Sequence, residues 1–209
     1  MVILIIMKNL NSYIHEKLVI THYKPYSCAP KTKDELRKII EERLEKDPNA
    51  DLNDIDVSNI TDMSLLFQLL DPHNIDISRW DVSNVKFMSD MFCTCYNFNS
   101  DLSNWDVSNV KDTHGMFGWC EKFNSDLSAW DVSKVRYMNS MFYNCKKFNS
   151  NISKWNVSRV IYMDEMFYEC YKFNSDLNDW DVSHVKDMNN MFFECRSMKK
   201  LPEWFVSHQ

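Results

Sequence analysis

The chain has 209 residues, 44% hydrophobic and 26% charged, with 24 Lys and Arg against 30 Asp and Glu for a net charge of −6. That apolar content is too high for intrinsic disorder, and the length suits one domain, with room for an appendage. With only 2 glycines the chain has no Gly-rich phosphate loop, which disfavours the common nucleotide-binding enzymes. The mild acidity gives no reason to expect a nucleic-acid partner.

The opening Met1-Val2-Ile3-Leu4-Ile5-Ile6-Met7 is apolar, but too short to span a membrane. It lacks the basic start and the small-residue cleavage site of a secretory signal. It reads as a short first strand, or as residues upstream of a true start at Met7. With no signal or anchor recognised, the expected location is cytoplasmic, without membrane contact. Residues 1–30 form an N-terminal segment in which Leu18-Val19-Ile20-Thr21 suggests a strand or hairpin. Residues 31–50 read as a capping helix: Thr32-x-x-Glu35 is a capping box, and Leu36, Ile39, Ile40 and Leu44 give an apolar stripe.

Residues 51–206 repeat. Trp80, Trp105, Trp130, Trp155 and Trp180 recur at a spacing of 25, as do Phe92, Phe117, Phe142, Phe167 and Phe192. A fixed period of this size signals stacked repeats. Val85, Met88, Phe92 and Cys95 step as one face of a short helix, with Ser83 placed to cap it. Leu102-x-x-Trp105-x-Val107 and its equivalents, starting at Leu52-x-x-Ile55-x-Val57, read as short strands. A lone repeat cannot fold. About eight inward side chains give roughly 12–24 kcal/mol, against roughly 25–50 kcal/mol to order its backbone. The expected fold is therefore an α/β solenoid of about six strand–helix repeats with a parallel sheet on one face. Leu201-x-x-Trp204-x-Val206 would be a seventh strand with no helix after it.

Several columns of residues could carry chemistry. Five of the seven cysteines, Cys95 to Cys195, follow the period, and no pairs of pairs with zinc spacing occur. They read as small core hydrophobes, and no metal or cofactor is expected. Asn74, Asn99, Asn124, Asn149 and Asn174 share one register and read as an internal ladder bonding backbone groups at a corner. Asp81, Asp106, Asp131 and Asp181 form a second column, with Asn156 in the fourth slot. Asx turns leading into the helix explain it, and a cation-binding stripe is the alternative.

The variable positions speak to function. Tyr143, Tyr168 and Phe193 share one register, and Tyr137 and Tyr162 share another with Phe87. On packed helices these would form an aromatic stripe along the outer face, suited to protein contact or partly tucked against neighbouring coils. Lys111 to Trp119 breaks the pattern: it holds both glycines, and Thr113 stands where Met is expected. Either a local dent with an exposed Trp119 or simple drift of the repeat explains it. His114 and His184 have no evident acid or nucleophile partner, so a hydrolytic triad has little support.

The string Trp-Asp-Val-Ser-x-Val-x-x-Met, followed by Met-Phe-x-x-Cys-x-x-Phe-Asn-x-Asp-Leu-Ser, resembles the BspA-like leucine-rich-repeat family over about residues 52–206. That family includes repeat proteins of mycoplasmas, spirochaetes and anaerobic gut or oral bacteria. The resemblance implies a right-handed leucine-rich-repeat-like coil, with Asn99 and its equivalents as the asparagine ladder. It also implies a surface role in binding host or matrix proteins, and it supplies no catalytic residues.

Together these readings point to a non-enzymatic module that binds another protein. The expected contacts are Tyr137, Tyr143, Tyr162, Tyr168, Phe193 and Trp119, with Asp106 and Asp131 on the strand side. The alternatives are a phage-encoded or intracellular inhibitor of a bacterial defence nuclease, such as a CRISPR effector, and a bacterial surface adhesin.

Overall fold

The computed structural model describes residues 26–73 and 75–207. Each 25-residue repeat is one coil made of tight turns. Trp105 N–H bonds Leu102 O, Val110 bonds Val107, Met116 bonds Thr113, Gly118 bonds Gly115, Cys120 bonds Phe117, and Phe123 bonds Cys120. Carboxylates open several of these turns. Asp101 accepts from Ser103 N–H, Asp106 from Ser108 N–H and Asp112 from His114 N–H, all at 2.9–3.0 Å. Such Asx turns satisfy amides that a turn leaves open. The turn ends face inward, so Leu102, Trp105, Val107, Val110, Phe117, Cys120 and Phe123 are buried.

The expected strand–helix repeat with a parallel sheet does not form. Among the described residues the helices are α1 (Lys33–Leu44) and α2 (Glu203–Val206). Neighbouring coils are joined by isolated parallel bridges, which run from Asp62 through Phe87, Asp112, Tyr137 and Tyr162 to Asp187. The segment read as a helix shows why. Asp90 (φ 52°) and Thr94 (φ 65°) are left-handed, as are their equivalents in the other coils, which ends any helical run. Met91 and Cys93 N–H groups bond locally to Met88 O and Asp90 O. Met88, Asp90, Phe92 and Thr94 N–H groups instead donate to Asp112, His114, Met116 and Gly118 carbonyls of the next coil. An α-helix would keep all of these amides within its own segment. Ser83 caps no helix; its N–H and hydroxyl both bond Asp81 Oδ1. The expected seventh strand is replaced by α2, whose Phe205 closes edge-on over Phe192 at 5.0 Å.

Stacked side chains fill the interior. Phe92, Phe117, Phe142, Phe167 and Phe192 form a column with centroids 5.6–5.7 Å apart. Phe98, Phe123, Phe148 and Phe173 form a second, at 5.8–6.1 Å. Buried carbonyls are met from the neighbouring coil. The indole N–H groups of Trp105, Trp130 and Trp155 donate to Ile77 O, Leu102 O and Leu127 O. The Cys120, Cys145 and Cys170 thiols donate to Phe92 O, Phe117 O and Phe142 O at 2.9–3.1 Å. These thiols are thus both filler and polar rungs. All seven cysteines are free.

The asparagine column is a ladder, but not an internal one. Asn124, Asn149 and Asn174 N–H groups donate to the Asn99, Asn124 and Asn149 side-chain oxygens at 2.8–2.9 Å, and these residues lie on the surface. A backbone amide needs only one acceptor, and here the preceding coil supplies it at the rim. Asn74 lies outside the described residues, as do Met1–Met7 and the suggested strand at Leu18–Thr21.

At the start of the stack, Thr32 Oγ1 accepts from Glu35 N–H at 3.2 Å and opens α1. Leu36 and Ile40 are buried against the first coil. Arg37 on the same helix donates to Leu65 O (2.7 Å), Leu66 O (3.2 Å) and Gln68 O (3.2 Å). Leu66 O and Gln68 O occupy the register in which later coils accept amides from the coil before. Among the described residues the guanidinium thus takes the place that the amides of a preceding coil take elsewhere.

Candidate functional site

The aromatic registers form two surface columns, one exposed and one half-buried except at Phe193, carried by turns rather than by helices. In the first, Tyr137 and Tyr162 stack at 6.0 Å with 9° between planes; they are 40% and 38% exposed. In the second, Tyr143, Tyr168 and Phe193 stack at 4.6 Å per step, with Phe193 the most open at 48%. Trp119 leans on Tyr143 at 5.6 Å and 41°. It is held in a left-handed conformation (φ 66°) by the bond from its N–H to Tyr143 O.

The coil that breaks the repeat interrupts both registers, with Asp112 in the first and Gly118 in the second. His114 borders two clefts. One, of about 420 Å³, is lined by Ser89, Asp112, His114, Tyr137, Asn139 and Tyr162. The other, of about 270 Å³, is lined by Asp90, Cys93, His114, both glycines, Trp119, Ser140, Tyr143 and Glu165. His114 Nδ1 lies 3.1 Å from Asn139 O, which orients the ring. The drifted-looking segment from Lys111 to Trp119 is therefore a dent with the expected Trp119 at its edge. Thr113 is buried and bonds Tyr137 O through both its N–H and its hydroxyl.

Electrostatics distinguish the dent from the rest of the surface. Burial pushes the Asp90 carboxyl above its ordinary range, with the Asp112 charge adding to the shift and His114 opposing it. Burial likewise raises the Cys93 thiol and the Asp164 carboxyl. Several aspartates elsewhere, Asp106 and Asp131 among them, go the other way. The Ser108 hydroxyl and N–H hold Asp106 below the usual carboxylate range, and Ser133 does the same for Asp131. Both aspartates are exposed and engaged in turns. With no strand face to sit on, they join neither cleft. Sequence reasoning brought six aromatic residues to this surface and missed Asp90 and Glu165, whose proximity to Gly118 arises only across coils. The glycine pair was the available signal.

Among the described residues, no group of three or more His, Cys, Asp or Glu side chains is arranged to hold a metal ion. No helix there is long and apolar enough to cross a membrane.

A family model described as "Mycoplasma protein of unknown function, DUF285" matches residues 35–148 and again 119–209. The chain belongs to this family. The two overlapping DUF285 matches reach from α1 to the end of the chain, so the family pattern and the 25-residue coils coincide. No curated protein and no solved structure matches the chain.

Proposed function

We propose that this DUF285 chain is a non-enzymatic protein-interaction module whose contact surface is the pair of aromatic columns flanking His114. The observation that carries this reading is the exposure of stacked rings outside the core. Tyr137, Tyr162, Phe193 and Trp119 are each about two-fifths exposed or more, while Phe117, Phe142 and Phe167 of the core column are fully enclosed. Stacked rings are rigid, so ordering them on binding costs little entropy, and Tyr and Trp are enriched where interfaces gain most of their energy. The likeness of the repeat to BspA-like proteins, whose members bind proteins at cell surfaces, supports the same reading.

The test is capture of a partner from a lysate of the source cells by the immobilised chain. Two variants accompany it: Tyr143→Ala/Tyr168→Ala/Phe193→Ala and Tyr137→Ala/Tyr162→Ala. Loss of the captured protein in either folded variant supports the reading. Unchanged capture by both overturns it.

A further inference from the structure

In five other coils the register of Gly118 carries a side chain: Gln68, Cys93, Tyr143, Tyr168 and Phe193. Tyr143, Tyr168 and Phe193 stack at 4.6 Å per step. At Gly118 the column loses its next ring, and a cleft of about 270 Å³ opens beside Tyr143. That is below the range of about 300–1,000 Å³ typical of small-molecule sites and suits a single side chain. Trp119 forms one wall, and Asp90 and Glu165 supply two carboxylates. Among the described residues, neither carboxylate is ion-paired with a Lys or Arg.

The second glycine shapes the same place. A Cβ on Gly115 would clash with Asp90 Oδ1, so the absence of a side chain there lets the Asp90 carboxyl tuck into the cleft. The two glycines of the chain thus do complementary jobs, one clearing the space and the other admitting a charge to it.

We propose that this cleft receives the guanidinium of one arginine from the partner protein, stacked on Tyr143 and paired with Asp90 and Glu165. The occupant follows from shape and charge: the slot continues a stack of planar groups, and its walls are acidic. A guanidinium is planar, stacks on aromatic faces and bonds carboxylates through a fixed fork of donors, whereas an ammonium does only the last of these, and as a point charge. The protein builds the arrangement once within itself. Arg196 lies 4.3 Å from the centre of the Tyr171 ring while its Nε donates to Glu194 at 2.7 Å.

This inference rests on the interaction-module reading and is tested separately from it. Trp119 is the exposed indole nearest the slot, so binding is followed by tryptophan fluorescence of the full chain. The chain is titrated with the peptide Ac-Gly-Arg-Gly-amide and with its neutral isostere containing citrulline. The arginine peptide is expected to saturate in the millimolar range, with citrulline at least about tenfold weaker. Gly118→Tyr, which places in the slot the residue found at this register in the two following coils, is expected to abolish binding. Its Cβ would sit 3.2 Å from Gly115 O, so a thermal melt accompanies it to show that the variant is folded. Asp90→Asn/Glu165→Gln keeps the space and should weaken the arginine peptide about tenfold. Equal binding of the two peptides, no saturation, or undiminished binding by folded Gly118→Tyr each overturns the arginine slot. Capture of a protein partner that depends on Tyr168 and Phe193 would survive any of those results and keep the broader reading.

Discussion

Phe142 offers a direct measure of what holds one coil to the next. Its ring is fully buried between Phe117 at 5.6 Å and Phe167 at 5.7 Å, with Phe148 at 3.9 Å and Trp155 at 6.3 Å. Truncating a buried Phe to Ala costs about 3–5 kcal/mol. Each aromatic pair adds about 0.5–1.5 kcal/mol beyond the area it buries. Four ring partners put Phe142→Ala at the upper end, about 5 kcal/mol. Phe192, at the end of the same column, has Phe167 below it and only Trp204 and Phe205 of the closing segment above. It is 7% exposed, and Phe192→Ala should cost about 3 kcal/mol. Urea unfolding followed by circular dichroism reads both values, and a slope shared with the parent validates the comparison. Domain stabilities run to about 5–15 kcal/mol. If Phe142→Ala therefore proves unfolded, Phe142→Leu keeps most of the volume and should cost about 1–1.5 kcal/mol. An internal substitution no more costly than the terminal one would refute the claim that stacking between coils holds the fold.

Three further outcomes are expected. Burial pushes the Cys95 and Cys195 thiols up to about 12 and raises Cys120, Cys145 and Cys170 well above the ordinary value. In the native protein a thiol reagent should therefore label only the half-buried Cys28 and Cys93, and mass spectrometry should find all seven labelled in urea. The Asp131 carboxyl is lowered by the Ser133 hydroxyl and N–H. Its stabilising share is thus present above the unfolded value of about 3.9 and lost as pH falls through the lowered folded value. Asp131→Asn should keep the turn, as Asn156 does with Ser158, and unfold with a shallower acid dependence below about pH 4, whereas Asp131→Ala should lose about 1 kcal/mol at pH 7. Gly115→Ala drives a methyl into the Asp90 carboxyl. Its cost should fall by at least about 1 kcal/mol in an Asp90→Ala background, measured as a double-mutant cycle in urea; strict additivity would show that the contact is absent.

Much of the arrangement was written in the chain, because its causes are local or strictly periodic. The inward residues, the Thr32 cap of α1, the aspartate turns and the aromatic registers all follow from residue type and spacing. The error over helix and strand has a definite origin. Three-residue turns, placed end to end, bring Val85, Met88, Phe92 and Cys95 to one side just as a helix would. What decides between them is a set of hydrogen bonds to residues 24 positions away, such as Phe92 N–H to Met116 O. No window along the sequence contains both partners. The left-handed positions are equally silent, since Asp90, Ser140 and Glu165 occupy them in place of the glycine that usually announces such a bend. The same blindness hid Asp90 from the dent: it precedes Gly118 in sequence by more than a full coil.

Most of the backbone amides that cross between coils point one way, those of Met88, Asp90, Phe92 and Thr94 running forward while that of Lys86 runs back to Thr61 O. From Met63 onward the forward set donates to carbonyls of the coil after it, at residues such as Phe67, Phe92, Phe117, Phe142 and Phe167, and it outnumbers the backward amides. Aligned peptide dipoles add along their common direction, as they do in a helix, so the stack is electrically polar from one end to the other. Its carbonyl terminus is neutralised by the Arg37 guanidinium. At the opposite terminus, the N–H groups of Met188, Asn190, Phe192 and Glu194 meet no acceptor among the described residues. The molecule therefore has an intrinsic sense along its long direction, and adding or removing whole 25-residue units would change its length without disturbing either terminus.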